Sequence, residues 1–325
     1  MASSQNLLQL LQSRTIVDCD TMELEVAKTL GPFVDCTSNQ AIAYDEVLKP
    51  EHRALLQESV ELAKRLAADH PGVTATELAV DIAMVKLQYE ISKVVTGFVH
   101  VQTNPYHSYD TEKTVKDARR IVALFKNLDS KFDSSRVCIK IPSTWEGMKA
   151  CGILQASGIS TLATTLFTIE QAALAGEMGC QYIAPYVNEL RVHFDPGFVD
   201  EHKAQVLCFE TQRYYEKHNL KTQVLPASLT STAEIMALAG VNHITISPPL
   251  LRQLANAPAS SNATPSLFDN TATTFVTHAL TSYAQDEAGF RIAFTRRDNG
   301  EGERKLSQAI NIFCDMQTKF EELVK

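Results

Sequence analysis

Short apolar segments recur along the chain and are separated by longer segments with helical periodicity. A short apolar run without alternation is typical of a strand that is buried on both faces of a parallel sheet. The longer segments place apolar residues three and four positions apart, which predicts amphipathic helices packed against that sheet. Eight strands are predicted in this way, at residues 15–20, 33–37, 98–103, 137–141, 161–167, 181–187, 222–227 and 243–247.

Helices are predicted between these strands and at both ends of the chain. The first is a short amphipathic helix near the start, and Pro248-Pro249 begins another short helix. The other predicted helices cover residues 21–30, 51–69, 74–94, 110–128, a segment from about 145, 168–178, 195–218 and 232–239, with terminal helices at 271–285 and 305–324. Residues 257–270 are predicted to form a loop, and residues 296–304 a charged turn in solvent.

The alternation of strands and helices predicts the α/β class and a closed (β/α)8 TIM barrel. We expect one domain over residues 1–325, with extra helices at the N- and C-termini. The structural alternative is an open doubly wound sheet. Its glycine-rich first turn is missing here, because Gly31 and Gly97 stand alone.

Composition and charge narrow the range of partners. The chain has 45% hydrophobic residues, and its formal net charge of -8 argues against a nucleic-acid or anionic-membrane partner. No basic signal-peptide start is present, and no apolar run approaches the roughly 18 residues that cross a bilayer. The seven cysteines include no C-x-x-C pair, so we expect reduced core cysteines in a cytoplasmic protein.

One lysine interrupts the fourth apolar run, at position 140. A lone buried ammonium costs several kcal/mol, so Lys140 must be paired or must face a cavity. Desolvation also lowers the pKa of a lysine and favours the neutral amine that forms Schiff bases with carbonyl compounds. Ser143 or Thr144 can cap a helix from Trp145, which places Lys140 near the carboxyl end of its strand. The alternative is a strand-end lysine that snorkels to solvent.

Polar residues stand at the carboxyl end of every predicted strand. In a barrel these ends converge on one mouth, so the residues are candidates for a common site around the lysine. Each of them alone is more often an ordinary hydrogen-bonded strand end. A Schiff-base enzyme needs such a set: a carboxylate, a proton shuttle and neutral donors for substrate hydroxyls. The residues are Asp20, Thr37, Asn39, Gln102, Asn104, Thr164, Tyr186, Asn188, Ser228 and Ser247.

Four segments resemble motifs of the transaldolase family. The overall similarity to that family extends from about Thr15 to Lys325. Ile139-Lys-Ile-Pro-Ser-Thr-Trp-Glu-Gly147 resembles I-K-L-A-S-T-W-x-G and implies that Lys140 forms the Schiff base. Cys19-Asp20-Thr21 resembles the first-strand A-D-T-G-D segment, which implies an acid/base role for Asp20, with Asp18 as the competing register. Asp35-Cys-Thr-Ser-Asn-Gln40 resembles D-A-T-T-N-P and implies that Asn39 lies beside the lysine and that Thr37 binds substrate. Ser108-Tyr-Asp-Thr-Glu112 matches S-Y-D-T-E.

Two departures from this pattern concern proton transfer. The family's third-strand glutamate is Gln102 here, and an amide can orient a water but cannot exchange protons at neutral pH. The sixth-strand segment S-P-F-V-G-R reads Ala184-Pro-Tyr-Val-Asn-Glu189, which introduces the phenol of Tyr186. Gln102, Tyr186 and Thr164 resemble the trio that holds the catalytic water in fructose-6-phosphate aldolases. We therefore expect that acid/base work has moved to Tyr186.

A further departure concerns the substrate. The two arginines that anchor phosphate in the family correspond to Glu189 and Thr230, so both bidentate forks are absent. Arg191 is a weaker candidate for a replacement. We expect Asn188, Ser228 and Thr164 to hold substrate or water, and the substrate to be a carbonyl compound or sugar without phosphate. The alternatives are an ordinary pentose-phosphate transaldolase with another basic residue for phosphate, and a non-catalytic binding barrel.

The same resemblance implies that no cofactor is needed. The histidines show no paired ligand spacing, so no metal site is predicted, and they are interpreted as surface or core residues. Barrels of this type are often dimers, so a homodimer is an open expectation.

Overall fold

Eight parallel strands form the centre of the fold. The computed structural model describes residues 5–259, 265–269, 276 and 278–325. The strands pair in the order β7-β6-β5-β4-β3-β2-β1-β8, so that consecutive strands from β1 to β7 pair with one another and β8 pairs with β1. The strands are β1 Ile16–Asp20, β2 Cys36–Thr37, β3 Val99–Gln102, β4 Val137–Pro142, β5 Ser160–Leu166, β6 Tyr182–Pro185, β7 Gln223–Val224 and β8 His243–Ile246.

This order is that of a barrel, and it excludes the doubly wound alternative. The backbone N–H of Thr245 donates to the carbonyl of Pro226 at 3.2 Å and joins β8 to the chain just after β7. The predicted (β/α)8 architecture is therefore confirmed. All six residues of β4 are buried, as expected for a strand covered on both faces.

Thirteen helices in the described residues surround the strands. Polar side chains cap the starts of helices: the Thr144 side chain, one of the two predicted caps of its helix, accepts from Gly147 N, and the Asp110 side chain accepts from Lys113 N. The helices are α1 Leu7–Gln12, α2 Leu24–Leu30, α3 Gln40–Val47, α4 Arg53–Leu66, α5 Ala75–Ser92, α6 Thr111–Leu128, α7 Trp145–Ala156, α8 Ile169–Glu177, α9 Gln205–Lys217, α10 Thr232–Ala237, α11 Pro248–Asn256, α12 Glu287–Arg296 and α13 Glu301–Leu323. None of the described helices has the length and apolar character needed to span a membrane.

Three sequence predictions about the connections are wrong. Residues 195–204 are not helical, and the helix predicted from 195 begins only at Gln205. The helix predicted at 271–285 is absent at residues 276 and 278–285, while 271–275 and 277 lie outside the described residues. The charged turn at 296–304 is not merely solvated. Arg297 forms an ion pair with Glu170, and Arg304 pairs with Glu189 at 2.6 Å.

A buried polar layer fills the barrel interior beneath the level of Lys140. His243 Nδ1 lies 2.8 Å from Asp18 Oδ2, and His100 Nε2 lies 3.1 Å from Asp35 Oδ2. The Tyr182 ring packs against both imidazoles, with centroid distances of 5.0 and 5.7 Å. Burial raises the pKa of Asp18 to about 6, against the opposing effect of His243. Asp18 therefore belongs to this buried layer through its contact with His243. It lies two residues before Asp20, on the same face of β1.

The last helix is fixed to the segment that follows β6. Lys305 Nζ donates to Asp200 Oδ2 at 2.8 Å, and both side chains are at least 95% buried, with 5% and 3% exposed. Asp200 Oδ2 also accepts from the backbone N–H of Glu189 at 2.7 Å. Helix α13 additionally contacts α3, α5 and the 3₁₀ turn Leu190–His193. This packing determines the course of the chain between β6 and α9, beside the barrel mouth.

Candidate active site

Lys140 lies inside the barrel near the carboxyl end of β4. The residue is only 2% exposed, which excludes the snorkelling alternative. Its Nζ lies 3.3 Å from the carbonyl of Ser38 and 5.8 Å from the centroid of the Tyr186 ring. Among the described residues, no carboxylate comes within ion-pair distance of this nitrogen. Lys140 thus places a primary amine, the nucleophile that forms a Schiff base with a carbonyl compound, inside the barrel without an ion-pair partner among the described residues.

Gln102 and Thr164 flank the lysine on the neighbouring strands. Gln102 is paired with Lys140 across β3 and β4, and Thr164 is paired with Pro142 across β4 and β5. Both side chains are buried, and neither the Gln102 amide nor the Thr164 hydroxyl hydrogen-bonds to the part of the protein that is described. Leaving such groups unpaired costs about 1–3 kcal/mol each. They are therefore free to bind a water molecule or a substrate oxygen.

The backbone beside Thr164 is irregular. The β5–β6 register shifts between Ala163 and Leu166, and Thr165 adopts a left-handed φ of 54°. Such a conformation is unfavourable for a β-branched residue, and strain of this kind concentrates at functional sites. Sequence patterns did not predict this irregularity.

Asp20 belongs to a short chain of hydrogen bonds on the opposite side of the barrel mouth. Thr37 Oγ1 donates to Asp20 Oδ1 at 2.6 Å and lies 2.6 Å from Thr245 Oγ1. Thr37 thus orients the carboxylate that the sequence selected. Thr245 was missed, although it lies on β8 two positions before Ser247, a spacing that places side chains on the same face.

A cavity of about 660 Å³ opens above these residues at the barrel mouth. Asn39 lines this cavity, but the hydrogen-bond partner of Lys140 is the carbonyl of Ser38, the preceding residue. The Asn39 side chain instead caps α3 by accepting from Ile42 N at 3.0 Å. Among the other lining residues are Asp20, Tyr186, His193, Ser228, Thr245 and Ser247.

Two predicted substrate-binding residues are used elsewhere. Asn188 is 1% exposed, and its Nδ2 donates to the carbonyl of Ser228 at 2.9 Å and to Glu234 at 3.1 Å. Arg191 points away from the cavity, because it forms an ion pair with Asp195 and its guanidinium lies 4.4 Å from the Phe198 ring centroid. Arg191 lines a separate surface groove against α13. Neither side chain is brought to the cavity around Asp20.

The charge of the cavity lining is acidic. Asp20, Glu23, Asp45 and Glu46 contribute carboxylates, and Lys49 is the one lysine or arginine among the described lining residues. Its ammonium is already paired with Glu46 at 2.8 Å and with Glu23 at 3.1 Å. The lining therefore offers no free cation to a phosphate group.

Glu189 does not produce this acidic character. Its side chain is only 3% exposed, turns to Arg304, and also accepts from Gln308 at 3.2 Å. Glu189 therefore adds no free negative charge to the cavity, since Arg304 neutralises its carboxylate outside the cavity lining. Thr230, at the other family arginine position, donates from its hydroxyl to Glu234 at 2.9 Å.

Comparison with known proteins identifies a family of similar sequence. The family model described as transaldolase/fructose-6-phosphate aldolase matches residues 17–321. A protein named transaldolase from Alteromonas mediterranea is 33% identical over 98% of each chain. Transaldolases from Pseudoalteromonas atlantica and Shewanella oneidensis are 33% and 31% identical, again over 98% of each chain.

Proposed function

Because the chain belongs to the transaldolase/fructose-6-phosphate aldolase family, we propose that it makes or breaks a C–C bond on an unphosphorylated carbonyl substrate. The transaldolase type of the enzyme follows from the family. The observation that carries the site assignment is the buried Lys140 amine, which faces Tyr186 and has no carboxylate partner among the described residues.

The reaction begins at Lys140. Its nitrogen attacks the carbonyl carbon, the carbonyl oxygen takes up a proton, and loss of water from the carbinolamine leaves a protonated imine. The bond between the α and β carbons then breaks, and its electrons flow into the imine to form an enamine. The β-hydroxyl loses its proton as it becomes the carbonyl of the released aldehyde. Protonation of the enamine, or its attack on a second aldehyde, and hydrolysis of the imine regenerate the amine.

Side chains near Lys140 and in the cavity lining are suited to transfer protons during this reaction. Tyr186 is 3% exposed and its ring lies beside the amine, so its phenol is suited to exchange protons with the carbinolamine and the β-hydroxyl. Gln102 and Thr164 would hold a water near Lys140, since they lie on the strands beside it and their polar atoms have no partner in the described structure. Asp20, oriented by Thr37, would assist imine formation and bind substrate hydroxyls.

The charge of the cavity supports the choice of substrate. Four carboxylates line it, and its lysine is engaged in two ion pairs. A phosphate dianion would meet repulsion without a compensating guanidinium fork. Hydroxyl groups are better suited, because Ser228, Thr245 and Asn39 offer neutral polar atoms. The second candidate is a transaldolase that transfers a dihydroxyacetone unit between sugar phosphates, favoured by the names of the relatives.

Borohydride trapping distinguishes these functions. The protein would be incubated separately with fructose, dihydroxyacetone and fructose 6-phosphate, reduced, digested and mapped by mass spectrometry, with Lys140→Met as the control that cannot form the adduct. Added mass at Lys140 from the unphosphorylated ketones supports the proposal. An adduct from fructose 6-phosphate alone supports the second candidate. No adduct with any of the three would contradict both and leave a binding barrel.

A further inference from the structure

His193 ends the 3₁₀ turn Leu190–His193, which follows β6 at the barrel mouth. It lines the cavity together with Asp20, Tyr186 and Ser228. Its position after β6 places it beyond the strand residues that surround Lys140. A side chain there would contact the part of a substrate that lies away from a carbonyl carbon bound at Lys140.

A hydrogen bond fixes the imidazole to Ser228. His193 Nε2 lies 2.9 Å from Ser228 Oγ. Ser228 has a left-handed φ of 58°, a conformation that is uncommon for residues other than glycine. Two donors of Asn188 stabilise it, because its backbone N–H and its Nδ2 bind the Ser228 carbonyl at 3.1 and 2.9 Å. The strained turn therefore presents the Ser228 hydroxyl and the imidazole in a fixed arrangement.

The imidazole is a neutral partner. His193 is exposed at the mouth of the cavity, and partial desolvation lowers its pKa from the ordinary 6.5, against the opposing effects of Asp20 and Glu234, so the neutral form predominates at pH 7. A neutral imidazole offers one donor and one acceptor, and a serine hydroxyl keeps further capacity after one hydrogen bond. Such a pair suits a hydroxyl group, which both donates and accepts, better than a phosphate, which requires donors or positive charge.

We propose that His193, held by Ser228, binds hydroxyl groups on the part of the substrate distal to the carbonyl and so selects longer unphosphorylated sugars over short ketones. This inference rests on the proposed function and adds a specificity-determining residue to it. Asn188 is then a positioning residue, acting through the Ser228 backbone.

The test compares two ketones that differ only in the part His193 would contact. Fructose carries hydroxyls beyond its third carbon and dihydroxyacetone does not. The concentration that half-saturates borohydride-trapped adduct at Lys140 would be measured for wild type, His193→Leu and His193→Gln. We expect His193→Leu to raise this concentration for fructose about tenfold, the loss of one to two neutral hydrogen bonds. For dihydroxyacetone it should change less than about twofold, and His193→Gln should recover much of the fructose affinity.

His202→Leu is the matched control, since this exposed histidine lies on the same β6–α9 segment but lines a different cavity. Circular dichroism would verify that each variant is folded. Equal losses for both ketones, or no loss, would overturn the role of His193 while leaving the proposed function intact. If wild type traps neither ketone, the proposed function fails and this inference falls with it.

Discussion

The ion pair between Lys305 and Asp200 should account for a measurable part of the stability. Replacing Lys305 with Met keeps most of the side-chain volume but leaves Asp200 as a buried carboxylate. Breaking a buried pair from one side costs about 3–5 kcal/mol. Asp200 would retain the backbone N–H groups of Glu189 and His202, at 2.7 and 2.8 Å, so we expect the lower end of that range, about 3 kcal/mol.

Urea unfolding followed by tryptophan fluorescence measures this loss. The chain has a single tryptophan, Trp145, whose ring packs 5.6 Å from that of Phe290, so the signal reports the contact between α7 and α12. Adding Asp200→Asn to Lys305→Met should recover about half of the loss, because no unpaired charge remains. Lys319→Met, at an exposed position of the same helix, should stay within about 0.5 kcal/mol of wild type. A loss below about 1 kcal/mol for Lys305→Met, or a double variant that is no more stable, would refute the reasoning.

Three further changes test the site and the electrostatics. Tyr186→Phe should lower turnover roughly 10²–10⁴-fold while trapping at the lysine persists, and an unchanged rate would remove the phenol from proton transfer. Thr37→Val deletes the 2.6 Å hydrogen bond to Asp20 and should slow turnover roughly 10–100-fold, with unfolding by urea little changed. Burial tends to raise the pKa of Asp200, but Lys305 and two backbone N–H groups outweigh it and lower that pKa. The stabilisation by this pair is therefore present above the unfolded pKa near 3.8 and is lost as pH falls through the folded value. In Lys305→Met the raising effect of burial on Asp200 is no longer offset by the ammonium, so the folded pKa of Asp200 is higher in the variant than in wild type. The wild-type advantage should thus be largest near neutral pH and shrink as the pH falls through the variant's pKa; an advantage that grows with acidification would contradict this sign.

The strands and the lysine could be predicted because their signals are local. Every strand of a closed parallel barrel is covered on both faces, so each one reads as a short apolar run. Lys140 was visible as a charge inside such a run, and Thr144 as a cap just after it. The structure confirms both the buried position of the lysine and the cap.

The helix predictions failed where distant contacts determine the chain. Residues 195–204 contain Pro196 and Gly197, and Asp200 turns inward to meet Lys305, which lies far along the sequence. Near residue 280 the backbone N–H groups of Tyr283 and Ala284 bind Glu177, and α12 begins only after the cap at Asp286. Helical periodicity alone contains no information about these partners.

Glu189 shows the same limit at the site. Its position suggested a carboxylate facing the substrate, but Arg304, 115 residues later, removes it from the cavity. The acidic lining comes instead from residues such as Asp45 and Glu46 on α3, a helix that the sequence pattern did not predict. The proposal of an unphosphorylated substrate therefore rests on the missing arginines and on this acidic lining, and not on Glu189 itself.

Predicted residues on strands gathered around the amine, whereas those beyond the strand ends mostly did not. Strand register places Gln102 at the level of Lys140, and Thr164 two residues further along the neighbouring strand, opposite Pro142. Asn188 and Arg191 follow β6, and their side chains bind Glu234 and Asp195 and do not enter the cavity. The turn that follows β6 brings His193, which matched no motif, into the cavity. If reaction chemistry depends on strand residues and substrate choice on the turns, variants of the turn after β6 should alter which ketone is trapped while Lys140 remains the residue that is labelled.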